Sequence, residues 1–371
     1  MHTTQPPRIF ITAGEASGDA HAARLMRQLR LLIPDVVFEG FGGPAMEMEG
    51  LHSLASIRDL AVTGFVEVAK RYRFFTNLLE TCQQHIERAR PLAFIPVDYP
   101  GFNMRLAARV RSPRLPVIWY IAPQLWAWGK RRAPSLASAV DRLLVVFPFE
   151  VEFFAQFGIR AEYVGHPLVE SLGPISDRPK DGPVLLMPGS RAQELHRHVP
   201  VLAAAMNQVR RSHGNVTFTV PRAAGVDTAS LRPLADAGAI ITDDAAAAMD
   251  ASWAGMIKAG TSTLEASLRG LPYGTFYRTS FVSYHLSRSL IDVSSITLMN
   301  LLLKRNVVHE YIQKDATAEA LAGEIIELCD SAPRRDELSS AMLEVRHMLS
   351  SGGASHRAAE IIVDSLPRSV R

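Results

Sequence analysis

Two stretches of this chain have the residue types and order that binding an anion requires. One is Pro188-Gly189-Ser190-Arg191-Ala192-Gln193-Glu194 and the other is Lys258-Ala259-Gly260-Thr261-Ser262-Thr263-Leu264-Glu265. Each follows a short apolar run and precedes apolar residues at helical spacing, so each reads as a strand, a small-residue turn and a helix start. Free N–H groups converge at a helix start and favour negative charge. Arg191 adds a permanently charged fork that suits phosphate oxygens. The local alternative is an ordinary turn: Ser190 as cap of the first helix, Thr261 or Ser262 as cap of the second, and Glu265 closing a capping box. Otherwise Glu265 accepts hydrogen bonds from ribose hydroxyls. Two such turns in one domain suit a nucleotide held by diphosphate and ribose.

A third residue could move a proton. Leu92 to Val97 reads as a buried strand with Asp98 at its carboxyl end. Ligands of open α/β sheets bind at such ends, so Asp98 is a candidate general base. The competing role is to fix the Pro100-Gly101 turn. Glu15 and His166 stand in reserve, although a lone histidine is more often structural. The first strand, Arg8 to Thr12, runs into Ala13-Gly14-Glu15-Ala16-Ser17-Gly18-Asp19. Its glycine spacing is not that of a dinucleotide fingerprint, which argues against an oxidoreductase. The loop Ala122 to Arg132, with Gln124 and Trp126, sets tryptophans ahead of three cations. It suits a sugar or lipid pocket, or the packing of a strand end.

Strands alternate with helices throughout, which predicts α/β architecture with parallel, doubly wound sheets. The 371 residues suit two domains. The Pro-, Gly- and Asp-rich segment 171–182 reads as the linker between domains at 1–170 and 183–350, with a final helical segment at 351–371. Net charge is +3, mildly basic: suited to anionic ligands or an anionic membrane, and no argument for nucleic acid. Cys82 and Cys329 are the only cysteines, so neither a disulfide framework nor a zinc site is expected. The first residues do not read as a signal peptide, and the uncharged run Leu115 to Gly129 is too short and Pro-broken to span a bilayer. A cytoplasmic protein is expected.

Phe65, Val68, Tyr72, Phe75, Leu79, Cys82 and Ile86 fall at helical spacing, and Val66, Phe74 and Leu78 widen the stripe. Lys70, Arg71 and Arg73 interleave with it. The pattern fits a core-facing helix with a basic flank, or a helix lying in a membrane interface.

Together these stretches resemble the lipid-A-disaccharide synthase family of GT-B glycosyltransferases. The resemblance rests on Ala13 to Asp19, Leu60 to Val68, Val97 to Asn103, Ala122 to Arg132, Pro148-Phe149-Glu150, Gly165-His166-Pro167, Pro188 to Glu194, Gly260 to Glu265 and Asn300 to Gln313, in the family's order. The chain departs from the family's pattern at Gly101 (commonly aspartate), Met299 (usually proline) and His309 (often proline). The resemblance implies two Rossmann-like domains facing a cleft, with acceptor and membrane on residues 1–170, UDP-sugar on 183–350, and the C-terminal helix packing back on an N-terminal domain. It implies inverting transfer from UDP-2,3-diacylglucosamine to 2,3-diacylglucosamine 1-phosphate (lipid X), giving the β-1,6 disaccharide 1-phosphate and UDP. No metal or cofactor is expected. Asp98 would be the base. Gly189, Ser190, Arg191, Glu194, Gly260, Thr261, Ser262, Glu265, Asn300 and Gln313 would bind UDP-sugar. Glu15, Ser17, Asp19, Gln124, Trp126 and His166 would face the acceptor. Acylated substrates favour Val66, Val68, Tyr72, Phe74 and Phe75 as a face toward the inner membrane, and a homodimer is a further expectation. The alternatives are a soluble UDP-sugar transferase or epimerase of the same fold, and a catalytically silent nucleotide-sugar-binding homologue. Asp98, Arg191 and Glu265 together argue against the silent one.

Overall fold

The computed structural model describes residues 6–56, 72–175, 178–179, 181–279, 295–350 and 352–367. The chain divides into two compact units, Met1–Glu170 with Leu349–Arg371, and Ser171–Met348.

The first unit is built on a parallel sheet of seven strands. These are β1 (Arg8–Ala13), β2 (Val37–Gly42), β3 (Leu51–Ser56), β4 (Ala93–Val97), β5 (Ile118–Tyr120), β6 (Arg142–Val145) and β7 (Ala161–Tyr163). Their order is β3-β2-β1-β4-β5-β6-β7. The central strands β1, β4, β5 and β6 are largely apolar runs because helices cover both faces, and successive residues of one strand go to opposite sides. Phe10, Phe94, Trp119 and Leu143 pack on one face with Leu79, Cys82, Ile86 and Leu106. Ile9, Ile11, Ile95 and Leu144 pack on the other with Leu25, Met26 and Leu29 of the Ala16–Leu32 helix. Ala358, Ala359 and Ile362 of the Ala354–Ser365 helix complete that second layer, although the whole second unit separates them in sequence from the rest of the first.

The second unit repeats the plan with β8 (Val184–Met187), β9 (Phe218–Pro221), β10 (Ala239–Thr242), β11 (Ala254–Lys258), β12 (Tyr273–Tyr277) and β13 (Glu310–Ile312), ordered β10-β9-β8-β11-β12-β13. Val184 and Leu186 meet Leu195, Val199, Leu202 and Met206 of the Ala192–Ser212 helix in its core. Two parallel α/β sheets are therefore present, as expected from the alternation of strands and helices. In each sheet the order reverses once, between β1 and β4 and between β8 and β11. A crevice forms outside the carboxyl ends of the strands at such a reversal.

Candidate active site

Asp98 follows the last residue of β4, at the reversal point of the first sheet. It and Tyr99 both have left-handed backbone, at φ 46° and 48°, a region costly for most non-glycine residues but tolerated by aspartate. Hydrogen bonds hold the bend. The Asp98 N–H donates to the Tyr120 carbonyl at 3.1 Å, Asn103 Nδ2 donates to the Asp98 carbonyl at 2.8 Å, and Thr12 Oγ1 donates to Asn103 Oδ1 at 2.9 Å. The Tyr99 ring then lies on Gly14, where a Cβ would come within 2.3 Å of it. Gly14 thus lets the end of β1 approach the end of β4, a packing role.

This setting changes the acidity of Asp98. Burial, and secondarily the negative charge of Glu15, raise its pKa to about 6, against a smaller lowering by the Tyr99 N–H. A carboxylate of that basicity is ionised at neutral pH yet accepts a proton readily. His166 compares poorly as a base: burial, with the nearby His21, lowers it to about 3. Its Nδ1 accepts the Leu168 N–H at 3.2 Å. Glu15, Ser17 and Gln124 are exposed.

Two acceptor-side residues turn out otherwise than expected. Asp19 is buried and its carboxylate is consumed by the fold: Oδ1 accepts from the N–H groups of Gly43 and Met46 at 2.8 and 3.0 Å, and Oδ2 from Ala45 at 3.0 Å. It neutralises the start of the Pro44–Met48 helix, where a carboxylate is favoured. Trp126 is also buried, donating from Nε1 to Glu150 Oε1 at 2.9 Å. Glu150 has no exposed surface and also accepts the N–H groups of Val146 and Phe147. Burial raises it to about 7 in spite of these donors. The Trp126–Glu150 pair anchors the loop and leaves Trp128, 55% exposed, ahead of the exposed Lys130 and Arg131.

At the reversal point of the second sheet, the turn after β8 carries Gly189 at φ 109°, where a Cβ would lie 2.5 Å from Glu194 Oε2. Only glycine fits. Ser190 does not cap the helix. The capping position belongs to Arg191, and Glu194 reaches back one turn so that its Oε2 faces the N–H groups of Ser190 and Arg191 at 3.4 and 3.5 Å. These bonds are long, so the two donors are only weakly satisfied. Ser190 and Arg191 are exposed, the Arg191 side chain by 74%. Lys258 and His198, singled out by no sequence argument, complete the group. Lys258 Nζ pairs with Glu194 Oε1 at 3.1 Å. His198 joins the ends of β8 and β12, with Nδ1 2.6 Å from the Pro188 carbonyl and Nε2 3.1 Å from the Arg278 N–H. Its place one helical turn after Glu194 is the signal that could have found it. Burial alone would raise the Glu194 carboxyl, but Lys258 and then Arg191 outweigh it and hold it below the usual range.

The turn after β11 also corrects an expectation. Gly260 occupies the capping position of the Thr261–Leu268 helix, with no side-chain cap, and Glu265 closes no capping box. Glu265 Oε1 accepts from Arg269 Nε at 3.1 Å, and Thr263 Oγ1 donates to the Gly260 carbonyl at 2.6 Å. Thr261 is exposed and Ser262 half-buried, so their hydroxyls are not spent as caps.

Asn300 is fully used inside the fold. Its Nδ2 donates to the Val308 carbonyl at 2.8 Å and Glu310 Oε1 at 3.0 Å, and its Oδ1 accepts the Val307 and Val308 N–H groups, each at 2.9 Å. An amide with two donors and two acceptor sites has nothing left for a ligand. Asn300 thus shapes the segment before β13. Gln313, just past β13, accepts the Thr279 N–H at 3.0 Å. Among the positions that depart from the family's pattern, Gly101 faces open space, so its missing side chain leaves the backbone unaltered. Met299 is buried and its Sδ lies 3.5 Å from Ser267 Oγ. His309 Nδ1 pairs with the buried Glu324 at 2.6 Å. Among the described residues His309, Glu324 and Glu327 are the group whose composition could hold a metal, with ligand atoms within 4.8 Å of one another. They gather at the amino end of β13, away from the carboxyl ends that carry the two turns.

Val66 and Val68 lie outside the described residues, as does the Tyr72 side chain. In the Tyr72–Ala89 helix, Leu78, Leu79, Cys82 and Ile86 are buried, and Phe74 and Phe75 are half-buried against the same core. The described part of the stripe therefore faces the protein interior, which corrects the expectation of a membrane face at Phe74 and Phe75. Among the described residues no helix is long and apolar enough to cross a membrane.

The family model described as LpxB, lipid-A-disaccharide synthetase, matches residues 9–362. A lipid-A-disaccharide synthase of Anaeromyxobacter sp. (strain K) is 36% identical over 380 residues, covering 96% of this chain and 97% of that protein. Among solved structures, the glycotransferase of kitacinnamycin superposes with a TM-score of 0.62 at 14% identity, covering 98% of this chain and 100% of the other. A UDP-GlcNAc 2-epimerase from Neisseria meningitidis, bound to UDP-GlcNAc, gives 0.61 at 10% identity, covering 96% and 99%. Transferases and epimerases share this fold, so the fold alone does not choose between them; the family match does.

Proposed function

Since the chain belongs to the lipid-A-disaccharide synthase family, and so is a glycosyltransferase of lipid A biosynthesis, we propose that Asp98 is its general base and the turns after β8 and β11 hold the UDP-sugar. The family's name and reaction supply the substrates, UDP-2,3-diacylglucosamine as donor and 2,3-diacylglucosamine 1-phosphate as acceptor. A sugar hydroxyl is a weak nucleophile, so it needs a base as it attacks. Asp98 accepts the proton of the acceptor 6-hydroxyl while that oxygen bonds to the donor's anomeric carbon. The bond from that carbon to the UDP oxygen breaks, its electron pair leaves with UDP, and the anomeric configuration inverts in one displacement. Arg191 and the N–H groups of Ser190 and Arg191 then meet the charge that UDP gathers. Thr261, Ser262 and Glu265 serve the nucleotide beside them.

The observation that carries this reading is the position of Asp98 at the carboxyl end of β4, beside the sheet's reversal point. The experiment is to incubate the purified chain with both lipid substrates and detect UDP and a disaccharide phosphate by mass spectrometry. Release of UDP without a disaccharide, or no reaction at all, would count against it.

Peripheral attachment to the inner membrane on the cytoplasmic face belongs to the same reading, since both substrates are acylated. It is supported by the apolar and basic residues of the segment containing Val66 and Val68 and by the exposed Trp128 beside Lys130 and Arg131. An amphipathic aromatic flanked by cations suits an anionic lipid surface.

A further inference from the structure

Lys258 ends β11 in register with the end of β8, since Ile257 pairs with Met187 one residue earlier. Its ammonium therefore reaches the turn after β8 while its own strand leads into the turn after β11. The glycines of both turns border the resulting ion group. A Cβ on Gly189 would meet Glu194 Oε2 at 2.5 Å, and one on Gly260 would lie 3.3 Å from Lys258 Nζ. Nζ also stands 5.5 Å from the centre of the Tyr277 ring. The lysine is thus packed, with 18% of its side chain exposed, whereas the arginine across the same carboxylate is 74% exposed.

The charge count is uneven. Arg191 and Lys258 both address Glu194 Oε1, at 3.4 and 3.1 Å, so two cations share one carboxylate. The Ser190 and Arg191 N–H groups add partial positive charge at the start of the Ala192–Ser212 helix and are only weakly engaged. A group with surplus positive charge, two glycines that admit close approach, and donors at long distance is organised for an anion of more than one charge. Glu194 holds the donors and the ammonium in place without neutralising them.

We propose that Lys258 is a second cation of the diphosphate site, its ammonium donating hydrogen bonds to the diphosphate of the nucleotide sugar opposite Arg191. This rests on the reading of these turns as the UDP site and adds a residue to it. In the transfer step the electron pair of the broken glycosidic bond stays on the diphosphate oxygen, and Lys258 meets that charge without transferring a proton. Its hydrogen bonds strengthen as charge develops, so the lysine contributes to turnover as well as to binding.

The test uses the full chain and measures UDP and uridine affinity by calorimetry, with turnover alongside. Lys258→Met keeps the packed stem against Tyr277 and removes the charge, while Lys258→Arg keeps the charge. The expected loss of UDP affinity in Lys258→Met is roughly 10–100-fold, the scale of a charge-assisted hydrogen bond, with uridine affinity unchanged and kcat also lowered. Lys258→Arg should retain most of both. A purely structural role predicts instead that Lys258→Met fails because Glu194 loses the nearer of its two cations and keeps only the exposed Arg191, so that adding Glu194→Gln restores UDP affinity; such rescue would overturn the proposal, and continued weak binding in the double variant supports it. Undiminished UDP affinity in Lys258→Met, with Arg191→Ala weakened, overturns the role of Lys258 alone. No UDP binding by the unmodified chain overturns the nucleotide reading and this proposal with it.

Discussion

Replacing Asp98 by asparagine should lower activity and raise stability together. Asparagine tolerates the left-handed backbone that Asp98 adopts at φ 46°, so the bend survives. It cannot take the acceptor's proton, and loss of a general base costs roughly 10²–10⁴-fold in rate. The stability effect follows from the pKa, which rises from the ordinary 3.8 to about 6 in the folded chain. Above pH 6 the ionised carboxylate is worse placed in the fold than in the unfolded chain. At 1.36 kcal/mol per pH unit that disadvantage is about 3 kcal/mol. It is absent below the unfolded value of 3.8 and complete once pH has risen through the folded value of about 6. Asp98→Asn should therefore melt several degrees above the native chain at pH 8, with the gap shrinking as pH falls toward 4. In the native chain kcat/KM should fall tenfold per pH unit below about pH 6, and the residual rate of the variant should lose this limb. Turnover above about a tenth of the native value under saturating substrates would refute the assignment of the base, since removing one should cost more. A variant that melts lower than the native chain at pH 8 would refute the account of its environment.

Arg191→Ala should weaken UDP binding by about 1.5–3 kcal/mol with little change in melting, because the side chain is largely exposed; equal affinity by calorimetry removes it from the site. Glu15→Gln takes away the like charge beside Asp98, so the acid limb of kcat/KM should move to lower pH, by less than the whole elevation because burial is the larger cause. A limb that stays in place would mean that Glu15 does not act on Asp98. Trp128→Ser combined with Lys130→Gln and Arg131→Gln should release the chain from anionic vesicles in a sedimentation assay while leaving its melting temperature alone, as all three are exposed. Retention on the vesicles would exclude this loop as a lipid contact.

What could be read from sequence by itself was whatever neighbouring residues decide. Val184 to Met187 is apolar at every position, Gly189 follows, and helical spacing resumes at Leu195, so strand, turn and helix are legible in the sequence. Asp98 was legible for the same reason, as the first charge after a buried strand. The tertiary structure decided which polar groups remain available. Asp19, Asn300 and Trp126 have the composition of site residues, yet each is satisfied by partners distant in sequence: the Gly43–Met46 turn, the Val307–Glu310 segment and Glu150. Saturation of a hydrogen-bonding group depends on distances between segments, which no local pattern encodes. Lys258 is the converse. In sequence it ends an apolar strand, and only the parallel pairing of β11 with β8 sets its ammonium against Glu194. The Phe74 and Phe75 rings likewise took their place from the core they could reach, because burying apolar surface inside the domain is decided by which helix face meets the sheet.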